Sequence, residues 1–358
     1  MDDANELMPY LQCLADVDVR RVDWISPGRL AFGKTTILDG DPGLGKSTVA
    51  LQWAADMTRG RPIMGGPALA PRPVIVLSAE DAEADTIRPR LEAAAADLSK
   101  VYTFKLRDLR GRDHLVSIPA HLDWLEHQIV ATNTGMVIVD PFMAFLDDDV
   151  KSNNDQSVRR ALSPLAGMAD ETGCAVLLLR HLNKQTGGFA LYRGGGSMGI
   201  VGASRFALVV AKDPDDDTGK RRVIAMQKVN IGTEPTSIAY ALEAVPDTDV
   251  ARVAWLGTSP HTANDLLSAP ADEVELTKRD EARTWLRDAL KAGPVATKEL
   301  QRASRDTGIG WRTFESAKRD LGVRADKAGD TWRWALSDPT VIRKNGHAAN
   351  VPDDPNDW

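Results

Sequence analysis

The run Gly40-Asp41-Pro42-Gly43-Leu44-Gly45-Lys46-Ser47 places glycines, a lysine and a hydroxyl in the spacing G-x-x-x-x-G-K-S, with Thr48 following. Glycines without Cβ atoms let backbone N–H groups curl around phosphate oxygens, and a helix opening at Lys46 would add its positive end. Lys46 would neutralise the β- and γ-phosphates and Ser47 would ligate Mg²⁺, so residues 40–48 form the expected nucleotide-binding set. Three more apolar runs end in polar groups. Met136-Val137-Ile138-Val139-Asp140 offers a carboxylate for a magnesium-bound water, although many buried strands end in Asp at a turn. Val74 to Leu77 leads into Ser78-Ala79-Glu80-Asp81. There Glu80 suits a base that polarises the attacking water, and Asp81 suits a helix cap or a supporting role. Ala175 to Leu179 leads into Arg180-His181-Leu182-Asn183-Lys184, where His181 could sense a γ-phosphate or be structural.

These groups need a scaffold that brings strand ends together. Continuously apolar strand candidates run over Thr36–Leu38, Val74–Leu77, Met136–Val139, Ala175–Leu179, Phe206–Val210 and Val223–Met226, and helix candidates over Ser47–Arg59, Asp85–Leu98 and Gln156–Glu171. Strands without polar alternation are expected where both faces of a sheet are covered. Strand and helix alternate along the chain, which implies an α/β domain with a largely parallel sheet.

The stretch Val22-Asp23-Trp24-Ile25-Ser26-Pro27-Gly28-Arg29, the P-loop, Ser78-Ala79-Glu80-Asp81, Asp140-Pro141 and Arg180-His181-Leu182-Asn183-Lys184 together resemble the RepA-like branch of RecA-fold ATPases. That branch, related to the DnaB and KaiC groups, holds the hexameric replicative helicase of broad-host-range plasmids and many phage and mobile-element ATPases. The resemblance covers about residues 20–240. It implies a RecA-like P-loop NTPase core using ATP and Mg²⁺, with Glu80 as catalytic base, Asp140 as the Walker B acid and His181 as the histidine-motif residue. It also implies a homo-oligomer, in the family's case a hexamer, in which an arginine reaches the neighbour's nucleotide. Arg205, in Gly202-Ala203-Ser204-Arg205-Phe206, is the best match, with Lys228 assisting at the nucleotide; a surface arginine before a strand is the alternative. Loops at Asp147–Asp155 and Thr186–Gly199 would line a channel for single-stranded DNA, with Arg193 and Lys184 touching phosphates. The acids Asp147, Asp148 and Asp149 speak against DNA at the first loop.

The C-terminal part has another character. Residues 278–292 read as an amphipathic helix with Ala282, Trp285, Leu286 and Ala289 on one face. Thr297, as N-cap, opens a second helix to Thr307, and Trp311 to Leu321 gives a third with Phe314, Ala317 and Leu321 inward. Residues 323–334 read as a hairpin. Helix-turn-helix followed by a hairpin resembles the winged helix of phage and actinobacterial relatives. Its third helix would bring Arg312, Thr313, Ser316 and Arg319 to duplex DNA, while Arg324, Lys327 and Arg333 of the wing touch phosphates. Winged helices also dock proteins, so both readings stand.

Formal net charge is -7, from 44 Lys+Arg against 51 Asp+Glu, which excludes a protein coated in basic surface. Residues 278–334 nevertheless hold 14 Lys+Arg and 9 Asp+Glu, a local excess of positive charge that suits a distinct partner. Two cysteines, Cys13 and Cys174, suit neither a disulfide framework nor a zinc site, which points to the cytoplasm. An acidic N-terminus and no long apolar run point away from secretion and the membrane. The expected organisation is an arm over 1–20, an ATPase domain over 21–245, a Pro-marked linker over 246–274, a winged helix-turn-helix domain over 275–336 and a disordered tail over 337–358. A replicative helicase is the first expectation. An ATP-switched DNA-binding regulator or replication initiator without unwinding activity is the alternative.

Overall fold

The apolar runs between helices become neighbouring strands of one sheet. The computed structural model describes residues 11–151, 154–182, 198–268, 273–291, 293–307, 309–328 and 331–336. Arg193, Lys184, most of the glycine-rich loop and the tail at 337–358 therefore lie outside the described residues. The chain divides into two units, Met1–Ala269 and Pro270–Trp358. No helix among the described residues is long and apolar enough to cross a membrane.

In the first unit, β1 (Thr35–Gly40), β2 (Val74–Ser78), β3 (Val101–Thr103), β4 (Met136–Asp140), β5 (Ala175–His181), β6 (Phe206–Lys212), β7 (Arg221–Val229), β8 (Ser237–Ala244) and β9 (Ala251–Ser259) form one sheet. Their spatial order is β9-β8-β7-β6-β1-β5-β4-β2-β3. The six strands from β6 to β3 are parallel, and β6 to β9 pair antiparallel. Successive residues of the central strands feed two different cores. Leu38, Val74, Val76, Met136, Ile138, Leu177 and Leu179 pack on one face. Ile37, Ile75, Leu77, Val137, Val139, Val176 and Leu178 pack on the other. That period of two explains why the strands are apolar throughout: each side chain, whichever way it points, meets a helix-covered face.

The first face is covered by α1 (Lys46–Arg59), which buries Val49, Ala50, Trp53, Ala54 and Met57. The second is covered by α3 (Leu122–Thr132) and α4 (Asp155–Thr172), through Leu125, Ile129, Val158, Leu162 and Leu165. The helix expected over 85–98 is shorter and less regular: a π-helical turn at Glu83–Ile87 runs into α2 (Arg88–Ala93), and Ala95 then takes a positive φ of 54°. A short α5 (Met198–Ala203) precedes β6.

The expected linker over 246–274 is corrected by the structure. Residues 251–259 are β9, paired with β8 along its whole length from Ala244↔Ala251 to Ser237↔Ser259. Pro246 and Pro260 bound this strand; they do not mark a domain boundary. β9 is an edge strand with few buried residues, so it lacks the continuous apolar signal of the central strands. After it, α6 (Ala263–Ser268) packs Leu266 and Leu267 against Val209, Val223 and Ala225, so the first unit continues past residue 260.

The second unit contains α7 (Glu273–Leu290), α8 (Thr297–Ala303) and α9 (Trp311–Asp320). With them is a three-stranded antiparallel sheet of β10 (Val295–Ala296), β11 (Arg324–Ala328) and β12 (Thr331–Ala335), in the order β10-β12-β11. Ala282, Leu286, Leu300, Phe314, Ala317, Val323 and Trp334 form its core. Thr297 is not the N-cap expected; Ala296 holds that place and the Thr297 hydroxyl donates to the Trp332 carbonyl at 3.0 Å. Val295 and Ala296 enter the sheet, so the helix starts from a strand, and the threonine serves the strand pairing.

Candidate nucleotide site

Four parallel strands end at one edge of the sheet, and each delivers one of the expected groups. β1 ends at Gly40 and opens the P-loop, β2 leads to Glu80, β4 ends at Asp140 and β5 ends at His181. Gly40 pairs with His181, and Ser78 with Asp140, which fixes their common height.

The loop is shaped by residues whose backbone other types adopt poorly. Gly43 and Gly45 lie at φ 78° and 83°, in the left-handed region. A Cβ at Gly45 would fall 2.6 Å from Leu242 Cδ1, so a side chain there would displace Leu242 besides straining the left-handed backbone. The Tyr240 hydroxyl donates to the Leu44 carbonyl at 2.7 Å. Thus β8, which holds no recognisable motif, braces the loop from beneath. Motif spacing cannot reveal this brace, because Tyr240 and Leu242 are ordinary strand residues in sequence.

Lys46 is buried, and its ammonium donates to the carbonyls of Gly40 at 2.8 Å and Asp41 at 2.9 Å. Burial lowers its pKa, opposed by the negative charges of Asp140, Asp39, Asp41 and Glu80. The Lys46 ammonium also lies 3.3 Å from His181 Nδ1. With the lysine as donor, Nδ1 accepts, and the proton of a neutral ring sits on Nε2. That nitrogen faces Glu80, 3.9 Å from Oε2. Glu80 keeps 65% of its side chain exposed, so it is open to water and substrate. Its neighbour Asp81 is instead tied to Arg90 at 2.6 Å, and Ser78 Oγ accepts from the Asp81 N–H. The two acids thus differ in setting, Glu80 exposed beside His181 and Asp81 held in an ion pair with Arg90.

Asp140 is pushed above the ordinary carboxylate range, first by burial and then by Asp81 and Glu80, while a hydrogen bond from Ser47 and the charge of Lys46 pull it down. A partly buried carboxylate joined to a hydroxyl is a set of hard oxygen donors, the kind that Mg²⁺ prefers. Like carboxylates beside it leave negative charge for a cation to neutralise. The residues therefore fit a magnesium-bound nucleotide, with Ser47 and Asp140 as the metal side and residues 40–48 as the phosphate side.

One contact escapes motif reading altogether. Arg180 and Asp39 lie one residue below His181 and Gly40 and form a buried, two-pronged ion pair.

The structure does not bring Arg205 or Lys228 to this edge. The Arg205 N–H donates to the Thr35 carbonyl at 3.1 Å, at the start of β1. Five residues of strand separate that level from Gly40, about 16 Å at the usual rise, which puts the loop beyond reach of an arginine in the same chain. Lys228 pairs with Ala207 near the same end, and its ammonium donates to the carbonyls of Val201 at 2.7 Å, Gly202 at 3.1 Å and Ser204 at 2.8 Å. All three of its protons have partners, so the expected assistance of Lys228 at the nucleotide is replaced by a structural role at the end of α5. In the second unit, Arg312, Arg319, Arg324 and Lys327 are exposed, and Thr313 and Ser316 are half-buried on α9.

Residues 11–187, just under half of the chain, match the family model described as an AAA domain. The DNA repair protein RadA of Halalkalibacterium halodurans is 24% identical over 173 residues, 48% of this chain and 32% of that protein. The chain thus aligns with less than two thirds of that relative's length. Together with the largely parallel sheet and the P-loop at its edge, these similarities support a RecA-fold ATPase core in the first unit.

Proposed function

We propose that the chain is a magnesium-dependent ATPase that acts on DNA as a homo-oligomer, a RepA-like replicative helicase in which Arg205 completes the nucleotide site of a neighbouring copy. One observation carries this reading. Lys46, Ser47, Glu80, Asp140 and His181 converge at one sheet edge, while Arg205 is held at the other end of the strands. Glu80 would orient and deprotonate the attacking water, Lys46 would bind the phosphates, and His181, between Lys46 and Glu80, would register the γ-phosphate. Mg²⁺, held through Ser47 and Asp140, would neutralise phosphate charge. The second unit, read as a winged helix, would hold duplex DNA through α9 and the β11–β12 hairpin.

The test combines turnover with subunit mixing. Lys46→Ala should abolish ATP binding. Glu80→Gln should bind ATP yet hydrolyse it at least ~100-fold more slowly, as loss of a positioned base demands. Arg205→Ala should bind and fail to hydrolyse, and mixing it with inactive Lys46→Ala should restore turnover at mixed interfaces. Single-stranded DNA should stimulate the wild-type ATPase and a forked duplex should be unwound.

The basic surface of the second unit favours one other reading, an ATP-switched regulator or initiator. Stimulation by duplex alone, without strand separation, would decide for it.

A further inference from the structure

A second cation, from a helix with no recognised motif, stands over the end of α5, the element that leads into Arg205. Arg159 lies on the exposed side of α4, and its Nη2 comes within 2.6 Å of the point where a Cβ on Gly202 would sit. The guanidinium therefore lies directly over the last turn of α5, whose carbonyls hold Lys228 from another side. Burial lowers the pKa of the Lys228 ammonium, and the charges of Arg205 and Arg159 push it the same way. Like charges gathered on packed elements are unfavourable without an anion. Among the described residues no carboxylate pairs with either guanidinium. Asp155, one turn before Arg159, accepts instead from the Gly199 N–H at 3.0 Å.

We propose that Arg159 and Arg205 form a two-guanidinium clamp for the phosphate chain of a nucleoside triphosphate bound to a second copy of this chain. The proposal rests on the assembly reading above and adds Arg159 to it. Two considerations favour nucleotide over other anions. First, among the described residues each copy's own P-loop edge offers few free cations: Arg180 is locked onto Asp39 and Arg90 onto Asp81, and Lys46 carries positive charge there. Phosphoryl transfer needs further charge on the equatorial oxygens, and planar guanidinia match them with paired donors. Second, the backbone that carries Arg205 is held firmly. Lys228 fastens three carbonyls at the end of α5, and Arg205, just before β6, exchanges backbone hydrogen bonds with Thr35 on one side and Asn230 on the other. A fixed backbone suits side chains that must meet a phosphate held in one place, as in a P-loop.

The experiment measures ATPase turnover and single-stranded DNA affinity of full-length Arg159→Ala and Gly202→Ala, each alone and mixed with Lys46→Ala. Arg159→Ala should lose at least ~10-fold in turnover, below the effect expected for a lone finger because Arg205 remains. A fluorescent ATP analogue should still bind. Mixing with Lys46→Ala should restore activity above the sum of the two alone. Gly202→Ala keeps the arginine but drives its guanidinium aside, and alanine suits a helix better than glycine. It should therefore lose turnover while melting no lower than wild type, which separates misplacement from misfolding. Unchanged turnover in Arg159→Ala overturns the proposal. So does lost DNA affinity with normal DNA-free turnover, which would assign the clamp to nucleic acid. If the Arg205→Ala mixture is rescued and the Arg159→Ala mixture is not, Arg159 acts within its own subunit and the clamp alone fails. If neither is rescued although mixed oligomers form, the assembly reading fails as well.

Discussion

Arg180 reaches Asp39 with two hydrogen bonds, 2.8 Å from Nε and 2.6 Å from Nη2, and neither side chain is more than 1% exposed. The pair joins β1 to β5 one residue before each strand delivers a functional group, Gly40 on one and His181 on the other. It thereby fixes the height of the P-loop relative to the histidine that touches Lys46.

Breaking this pair from one side should be severe. Asp39→Asn or Arg180→Ala leaves a charge buried without its counter-ion, which costs about 3–5 kcal/mol. Replacing both, as Asp39→Leu with Arg180→Met, should recover most of that loss in a denaturant titration, since apolar isosteres avoid the desolvation of two ions. Similar losses in single and double variants would show that packing, not charge, dominates there.

Asp140 illustrates the conflict between site and stability. Its pKa is raised by burial, so the folded state holds the proton more tightly than the unfolded state does. By linkage, ionised Asp140 weakens folding at neutral pH, and that penalty fades as pH falls through the raised folded pKa toward the ordinary value of 3.8. Asp140→Asn keeps the shape and an acceptor for Ser47. Without nucleotide it should melt higher than wild type at pH 7–8, with the gap closing in acid. Stabilisation by Mg-ATP should disappear in the same variant. An Asn variant that melts lower at every pH would deny that the carboxylate is strained.

Tyr240→Phe removes one hydroxyl and little else. The Leu44 carbonyl would lose its 2.7 Å donor in a buried place, a change worth about 1–3 kcal/mol for an unsatisfied group. Because the bond ends on the P-loop, ATP affinity should fall with overall stability, and both can be read from melting curves with and without nucleotide.

The site was legible wherever chemistry is written in local spacing. The P-loop glycines, Asp140 and His181 each sit where an apolar strand ends, and strand ends converge in a parallel sheet. Tyr240, Leu242, Asp39 and Arg159 escaped because they act across the fold on residues about 40 to 200 positions away, and no short pattern records such pairs. The fold was legible in its central strands for the same reason that its edge was not. Ile37, Leu38, Val137 and Ile138 are buried on both faces and leave an unbroken apolar run, whereas β9 exposes Trp255 and Leu256 at 38% and 51% and reads as a loop between prolines.

The second unit offers a charge-based test of its partner. Arg312 and Arg319 are exposed on α9, and Lys327 is exposed on the hairpin. The opposite side of α9 packs through Phe314 and Ala317, and Lys318 lies over the Trp334 ring at 4.4 Å, so Lys318 belongs to the fold more than to a ligand. Arg279 holds Asp320 at 2.7 Å through two bonds, which keeps one acid of α9 neutralised. If these three cations meet phosphates, each replaced by alanine should lower the slope of log affinity against log salt by about 0.9 on duplex DNA. Lys327→Ala, on the hairpin, should weaken all sequences alike. Arg312→Ala should also relax preference at one base position, if α9 enters the major groove. Binding should be measured on full-length protein with ATP held constant, so that changes in assembly do not enter. Unaltered duplex affinity and slope in the triple variant, with ATPase intact, would turn the reading toward protein docking by this unit.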